Sequence, residues 1–103
     1  MLICTTDNIP GKNIQALGFV QGSIVRTKDV GRAMFAGFRA MAGGEIKVFT
    51  DLLNEARAIA INRMIEDAQK AGADAIVAVR VITCSVMNGA SEVTAYGTAV
   101  KFV

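Results

Sequence analysis

The rhythm of apolar positions changes along this chain. Between residues 50 and 71, Leu52, Leu53, Ala56, Ile59, Ala60, Met64 and Ala68 recur at three- and four-residue intervals. That spacing gathers them on one stripe of an α-helix. Thr50 or Asp51 offers a side-chain oxygen for the N-cap, and Gly72 stands where a left-handed residue closes a helix. Ile61 and Ile65 lie off the stripe. Two isoleucines on a face expected to be wet point to a second contact surface.

Elsewhere the pattern is that of strands. Leu2-Ile3-Cys4-Thr5-Thr6 is short and β-prone, and it runs into the turn-rich Asp7-Asn8-Ile9-Pro10-Gly11. Residues 14–27 form a second β-prone run holding Gly18 and Gly22; glycine inside a strand marks a bulge, a bend or a close backbone approach. Residues 75–86 are apolar and β-branched, Asn88-Gly89 is the preferred two-residue hairpin turn, and residues 92–102 return. With Met87 opposite Ala90, the pairs Val77/Val100, Val79/Thr98 and Val81/Tyr96 are predicted to share the face under the helix. Ile76/Lys101, Ala78/Ala99, Arg80/Gly97, Ile82/Ala95 and Cys84/Val93 then share the other. That second face is small and largely apolar, where a solvated sheet face would be more polar, and it is a second sign of an interface. Ala33, Met34, Phe35, Phe38 and Met41 predict a short helix over residues 31–41, stopped by Gly43-Gly44. The expected order is β-β-α-α-β-β in a single domain over residues 1–103. Its class is α+β: an antiparallel sheet with the long amphipathic helix and the short helix on one face.

Composition turns this pattern into a question about partners. Of the 103 residues, 52% are hydrophobic and 19% charged, and the mean hydropathy is +0.42. A domain of this size buries roughly two-thirds of its unfolded surface, which leaves few polar residues to cover the rest. No apolar run approaches the ~20 residues of a membrane-spanning helix: residues 75–79 meet Arg80, and Val81-Ile82 meets Thr83. The opening MLICTTDN lacks the basic segment and apolar core of a secretion signal. A cytoplasmic homo-oligomer that does not engage a membrane is the expectation.

Candidate chemistry is sparse. The chain has no histidine, the commonest general acid–base and metal-ligating side chain, so Ser–His and Cys–His machinery is excluded. Its glycines fit neither the dinucleotide fingerprint nor the P-loop. Glu45, Asp51 and Glu55 cluster where negative charge favours a helix start. No enzyme is expected. Lys12, Arg26, Lys28, Arg32, Arg39 and Lys47 outnumber Asp29 and Glu45 in residues 12–47, but a nucleic-acid surface carries a denser basic stripe. Phe19, Phe35 and Phe38 are spaced for a core. Cys4 and Cys84 remain. In a reducing compartment they are not expected to form a disulfide. They read either as small buried thiols or as soft ligands for a thiophilic metal such as zinc or copper(I). They would be neighbours only if the first strand lay alongside the hairpin.

Several motifs, in order, resemble one family. Cys4-Thr5-Thr6, Gly18-x-Val20-x-Gly22 and Met34-Phe35-Ala36-Gly37-Phe38-Arg39 with Gly43-Gly44 are followed by Leu53-x-x-Ala56-Arg57-x-Ile59-Ala60. Ala71-Gly72-Ala73-Asp74-Ala75-Ile76-Val77 and Gly97-Thr98-Ala99-Val100 complete the set. Together these are similar to the YbjQ-like family, described as heavy-metal-binding. The resemblance implies a dodecin-like α+β subunit that assembles as a ring, a homopentamer, and holds a metal or small ligand between subunits. It also exposes departures. Typical members carry a D-x-D-x-E row where this chain has Arg80, Ile82 and Cys84, so binding of a hard cation by that row does not carry over. Ser23 replaces a glutamate, Glu45 an arginine, and Phe49-Thr50 a tyrosine–glutamate pair. Cys84, with Cys4, is left as the candidate metal ligand.

Overall fold

The computed structural model describes residues 1–26, 47–88 and 90–103. Over these residues the chain forms β1 (Leu2–Ile3), β2 (Ile14–Arg26), α1 (Lys47–Lys70), β3 (Ala75–Met87) and β4 (Ala90–Phe102). The strands make one sheet in the order β1-β3-β4-β2, and α1 lies across it, chiefly on β2 and β4. The class is α+β, as the pattern predicts, with one helix among the described residues. The short helix expected over residues 31–41 lies outside them.

The sheet is mixed, where an antiparallel one was expected. β2, β4 and β3 pair antiparallel, but β1 runs parallel to β3, with Leu2 beside Ala75 and Ile3 beside Ile76. Backbone bonds from Cys4 N–H to Ile76 C=O and from Val79 N–H to Cys4 C=O continue this contact past the strand itself. A parallel contact needs a long connection, and the whole of β2 and α1 stands between β1 and β3. No local signal in residues 2–6 could reveal it.

α1 starts at Lys47, so Thr50 and Asp51 lie inside the helix and do not cap it. At the other end Gly72 adopts φ +76°. Ala73 N–H donates to Ala68 C=O and Gly72 N–H to Gln69 C=O, the paired bonds of a Schellman motif. Ala56, Ala60, Met64 and Ala68 are fully buried, one residue per turn. Ile61 and Ile65 are half-buried and pack against the same core cluster. They widen the helix's inner face, and part of each side chain stays exposed beyond it.

Small residues bring α1 close to the sheet. A Cβ on Gly22 would collide with the backbone of Ala60 and Met64, so the helix axis is drawn onto β2 at that point. Gly18, at φ +139°, sits where the β2–β4 register slips.

The hairpin register departs from the two-residue-loop expectation. Met87 faces Ala90, but the ladder slips between Ser85 and Met87 and again between Val77 and Arg80. The second slip is a bulge at Ala78, whose φ is +53°. It reverses which side chains face the helix. Ile76 and Val79 both belong to the cluster under α1, together with Val93, Ala95 and Ala99. Val77, Val100 and Ala75 belong to a second cluster with Ile9, Ile14 and Phe102. The pairs placed under the helix by the regular register are therefore corrected. Val77 now faces Thr98 on the far side, and Arg80 faces Tyr96.

Candidate functional site

The face of the sheet turned away from α1 carries the candidate residues. Pairing puts Arg80, Tyr96 and Gln21 in one row across β3, β4 and β2. Ile82, Thr94 and Ser23 form the next row, and Cys84, Glu92 and Val25 the third. Directly opposed residues share a face, so Arg80, Ile82 and Cys84 do lie together, away from the helix, as the alternation predicts. Their partners differ. The slipped register replaces Gly97, Ala95 and Val93 with Tyr96, Thr94 and Glu92, and the face is more polar than expected.

A chain of hydroxyls runs through it. Thr94 Oγ1 donates to Glu92 Oε1 at 3.0 Å and lies 2.9 Å from Ser23 Oγ. A hydroxyl has one proton, and Thr94 spends its own on the carboxylate, so Ser23 is the donor to Thr94. The chain holds Glu92 in place opposite Cys84. Arg80 turns elsewhere: its guanidinium donates to Thr5 C=O at 3.1 Å and to Val79 C=O at 2.9 Å, pinning the N-terminal segment at the bulge.

Around these polar groups the face is apolar and bare. Phe19 is 66% exposed and its ring centroid lies 6.2 Å from that of Tyr96. Val25, Ile82, Val86 and Met87 are also exposed. The described residues extend over 53 × 27 × 17 Å, an elongated body with these side chains spread along it.

The two cysteines are not brought together. Cys4 is half-buried beside the start of β3, where its thiol faces Ile76 C=O at 3.8 Å and accepts from the Thr6 hydroxyl at 3.4 Å. Cys84 is exposed, five residues beyond Val79 along β3, a separation of ~16 Å at ~3.3 Å per residue. β1 does lie alongside the hairpin, but at the wrong end to join them. Among the described residues no group of three or more cysteine, histidine or acidic side chains is placed to hold a metal. Zinc sites take three or four protein ligands, and one chain offers a single thiolate with a carboxylate opposite. The donor set of the described residues of one chain does not fit a heavy metal.

Reasoning from the sequence missed Glu92 and Thr94, because cross-strand partners depend on a register that the bulge alters. Ser23 was visible only as a departure from a family pattern.

A small α+β fold with a helix on one sheet face and exposed apolar side chains on part of the other defines the class of protein. The whole chain, residues 1–103, matches the YbjQ family described as "Putative heavy-metal-binding". It belongs to that family. It is 50% identical to a UPF0145 protein of Vibrio parahaemolyticus, over 100% of this chain and 99% of the relative. With a UPF0145 protein of Photobacterium profundum it shares 54% identity, over 98% of this chain and 99% of that one. A solved structure from Pediococcus pentosaceus, a DUF74-family protein of unknown function, is similar in fold. Its TM-score is 0.62 at 17% identity, covering 100% of this chain and 98% of that chain. No helix among the described residues is long and apolar enough to cross a membrane.

Proposed function

We propose that the chain is a self-assembling, non-enzymatic binding subunit, with its ligand site between copies. The observation that carries this is the sheet face away from α1, where Phe19, Val25, Ile82, Val86 and Met87 stay exposed in a chain that is 52% hydrophobic. Exposed apolar residues gathered on one face, more than singly scattered ones, mark an interaction site. A ring, the homopentamer that the family resemblance implies, would cover that patch. It would also repeat Cys84 and Glu92 around the assembly, supplying thiolates and carboxylates that one subunit lacks. Cys84 is exposed on this face and within reach of a neighbour, whereas Cys4 is tied beside Ile76. Soft thiolates favour zinc or copper(I). The lack of histidine supports a binding role over a catalytic one.

The alternative is an assembly with no bound ligand, which the same patch favours. Light scattering after size exclusion separates assembly from its absence: the expected mass is a multiple of 10.9 kDa, and a mass equal to that value overturns the reading. Metal analysis of untagged protein, purified without chelator, separates the two assemblies. Metal that is lost in Cys84→Ser and kept in Cys4→Ser supports the interface site. Metal-free protein whose stability ignores chelators leaves the ligand-free assembly.

A further inference from the structure

The two outer edges of the sheet are finished differently. In an antiparallel ladder, backbone groups alternate between bonding the partner strand and pointing away from it. On β2 the pairs Gln21/Tyr96 and Ser23/Thr94 are of one kind, and the Gln21 N–H and Ser23 C=O point to the free edge. Both are occupied by α1. The Asp67 carboxylate accepts the Gln21 N–H at 3.2 Å, and the Arg63 guanidinium donates to the Ser23 C=O at 2.6 Å. The geometry is commensurate: a four-residue step on a helix is ~6 Å and a two-residue step on a strand ~6.6 Å. Residues four apart on the helix thus reach alternate positions on the strand, the acid meeting a donor and the base an acceptor.

Among the described residues no helix side chain occupies the opposite edge. Residues 2–6 cover β3 as far as Val79. From Val81 to Met87, no strand pairs with its outer side among the described residues. An unpaired edge is a template for another chain. If β2 were equally open, the β3 edge of one copy could join the β2 edge of the next. That head-to-tail contact, where it does not close, grows into filaments.

We propose that Arg63 and Asp67 are an edge guard, filling the central hydrogen-bonding positions through which a second copy of this chain would add a strand to β2. Their charge and position let them do this while exposed, so they contribute little to the core and much to what the edge can bind.

The test is the double variant Arg63→Ala/Asp67→Ala. Both side chains are on the surface and alanine is the best helix former, so the subunit keeps its circular dichroism. Expected is a weight-average mass that climbs with concentration to about two-fold or more above the parent, with elongated particles by electron microscopy. The Arg63→Lys/Asp67→Asn variant keeps a donor and an acceptor and should keep the parent mass. A folded double-alanine variant with the parent's mass at every concentration overturns the proposal and leaves the pair as a mere fastening of helix to strand. Should the double variant fail to fold, Asp67→Ala alone with hydrogen exchange at the Gln21 amide decides. Exchange should be fast when dilute and slow again when concentrated, and fast exchange throughout overturns the guard. The parent's own mass, whatever it is, tests the assembly reading separately.

Discussion

The two halves of β3 could belong to different proteins. From Ala75 to Val79 its residues are almost entirely enclosed, with Ile76 at 0% exposure; from Arg80 to Met87 every residue is exposed, and Met87 reaches 68%. The near half has β1 on one side, β4 on the other, α1 above and the Ile9–Ile14 cluster below. Among the described residues the far half has β4 on one side only. Val81, Ile82 and Val86 are as apolar as Val77 and Val79, although Arg80, Thr83 and Ser85 are interleaved with them. Enclosure here depends on which elements arrive to cover a strand as well as on what the strand is made of. The far half keeps large aliphatic side chains at Val81, Ile82 and Val86 without enclosing them.

Substitutions can break that comparison or sharpen it. The largest effect is expected at Ile76, where truncation to alanine should cost about 2–5 kcal/mol, read as a lowered urea midpoint. The matched Ile82→Ala change should stay within about 0.5 kcal/mol in a dilute subunit, while lowering the mass of any assembly on dilution. Equal losses at the two sites in the dilute subunit would show that the far half is enclosed after all. Next comes Gly22→Ala, which drives a methyl into the helix backbone and should cost about 1–3 kcal/mol. The same change at Gly18 meets no atoms and is opposed only by backbone conformation. One effect is a gain. Ala78→Gly relieves a left-handed alanine and should raise stability by about 1 kcal/mol, visible as a rise of a few degrees in Tm. No change, or a loss, there would argue against the positive φ at the bulge.

What the sequence disclosed follows the range of the forces involved. The helix stripe and its Gly72 terminus were legible because they depend on residues within a few positions of one another. Ile61 and Ile65 were legible only as lying off the stripe, because a 3.6-residue period defines a stripe's centre better than its width. The hairpin turn was legible at Met87 and Ala90, but the pairing farther along was not. The decisive bulge falls on an alanine, which carries no mark of a left-handed conformation as glycine would. Of the candidate site, the row Arg80, Ile82, Cys84 was visible in the alternation. The Ser23–Thr94–Glu92 chain was not, because it joins three positions on two strands whose register only the folded sheet defines. The separation of Cys4 from Cys84 was equally hidden, since it follows from a parallel contact spanning most of the chain.

The bulge at Ala78 acts as a phase inverter. Upstream, even-numbered residues of β3 look toward the helix; downstream, as far as the second slip after Ser85, odd-numbered ones do. Deleting one residue there would restore a single phase and turn everything beyond it through half a rotation. Cys84 and Ile82 would be carried to the helix side, and Val81 and Thr83 out to the open side. A one-residue length change at this point would therefore exchange the chemistry of the two faces while leaving the composition almost untouched, and an alignment that shifts a gap across residues 77–80 would assign the exposed row to the wrong side.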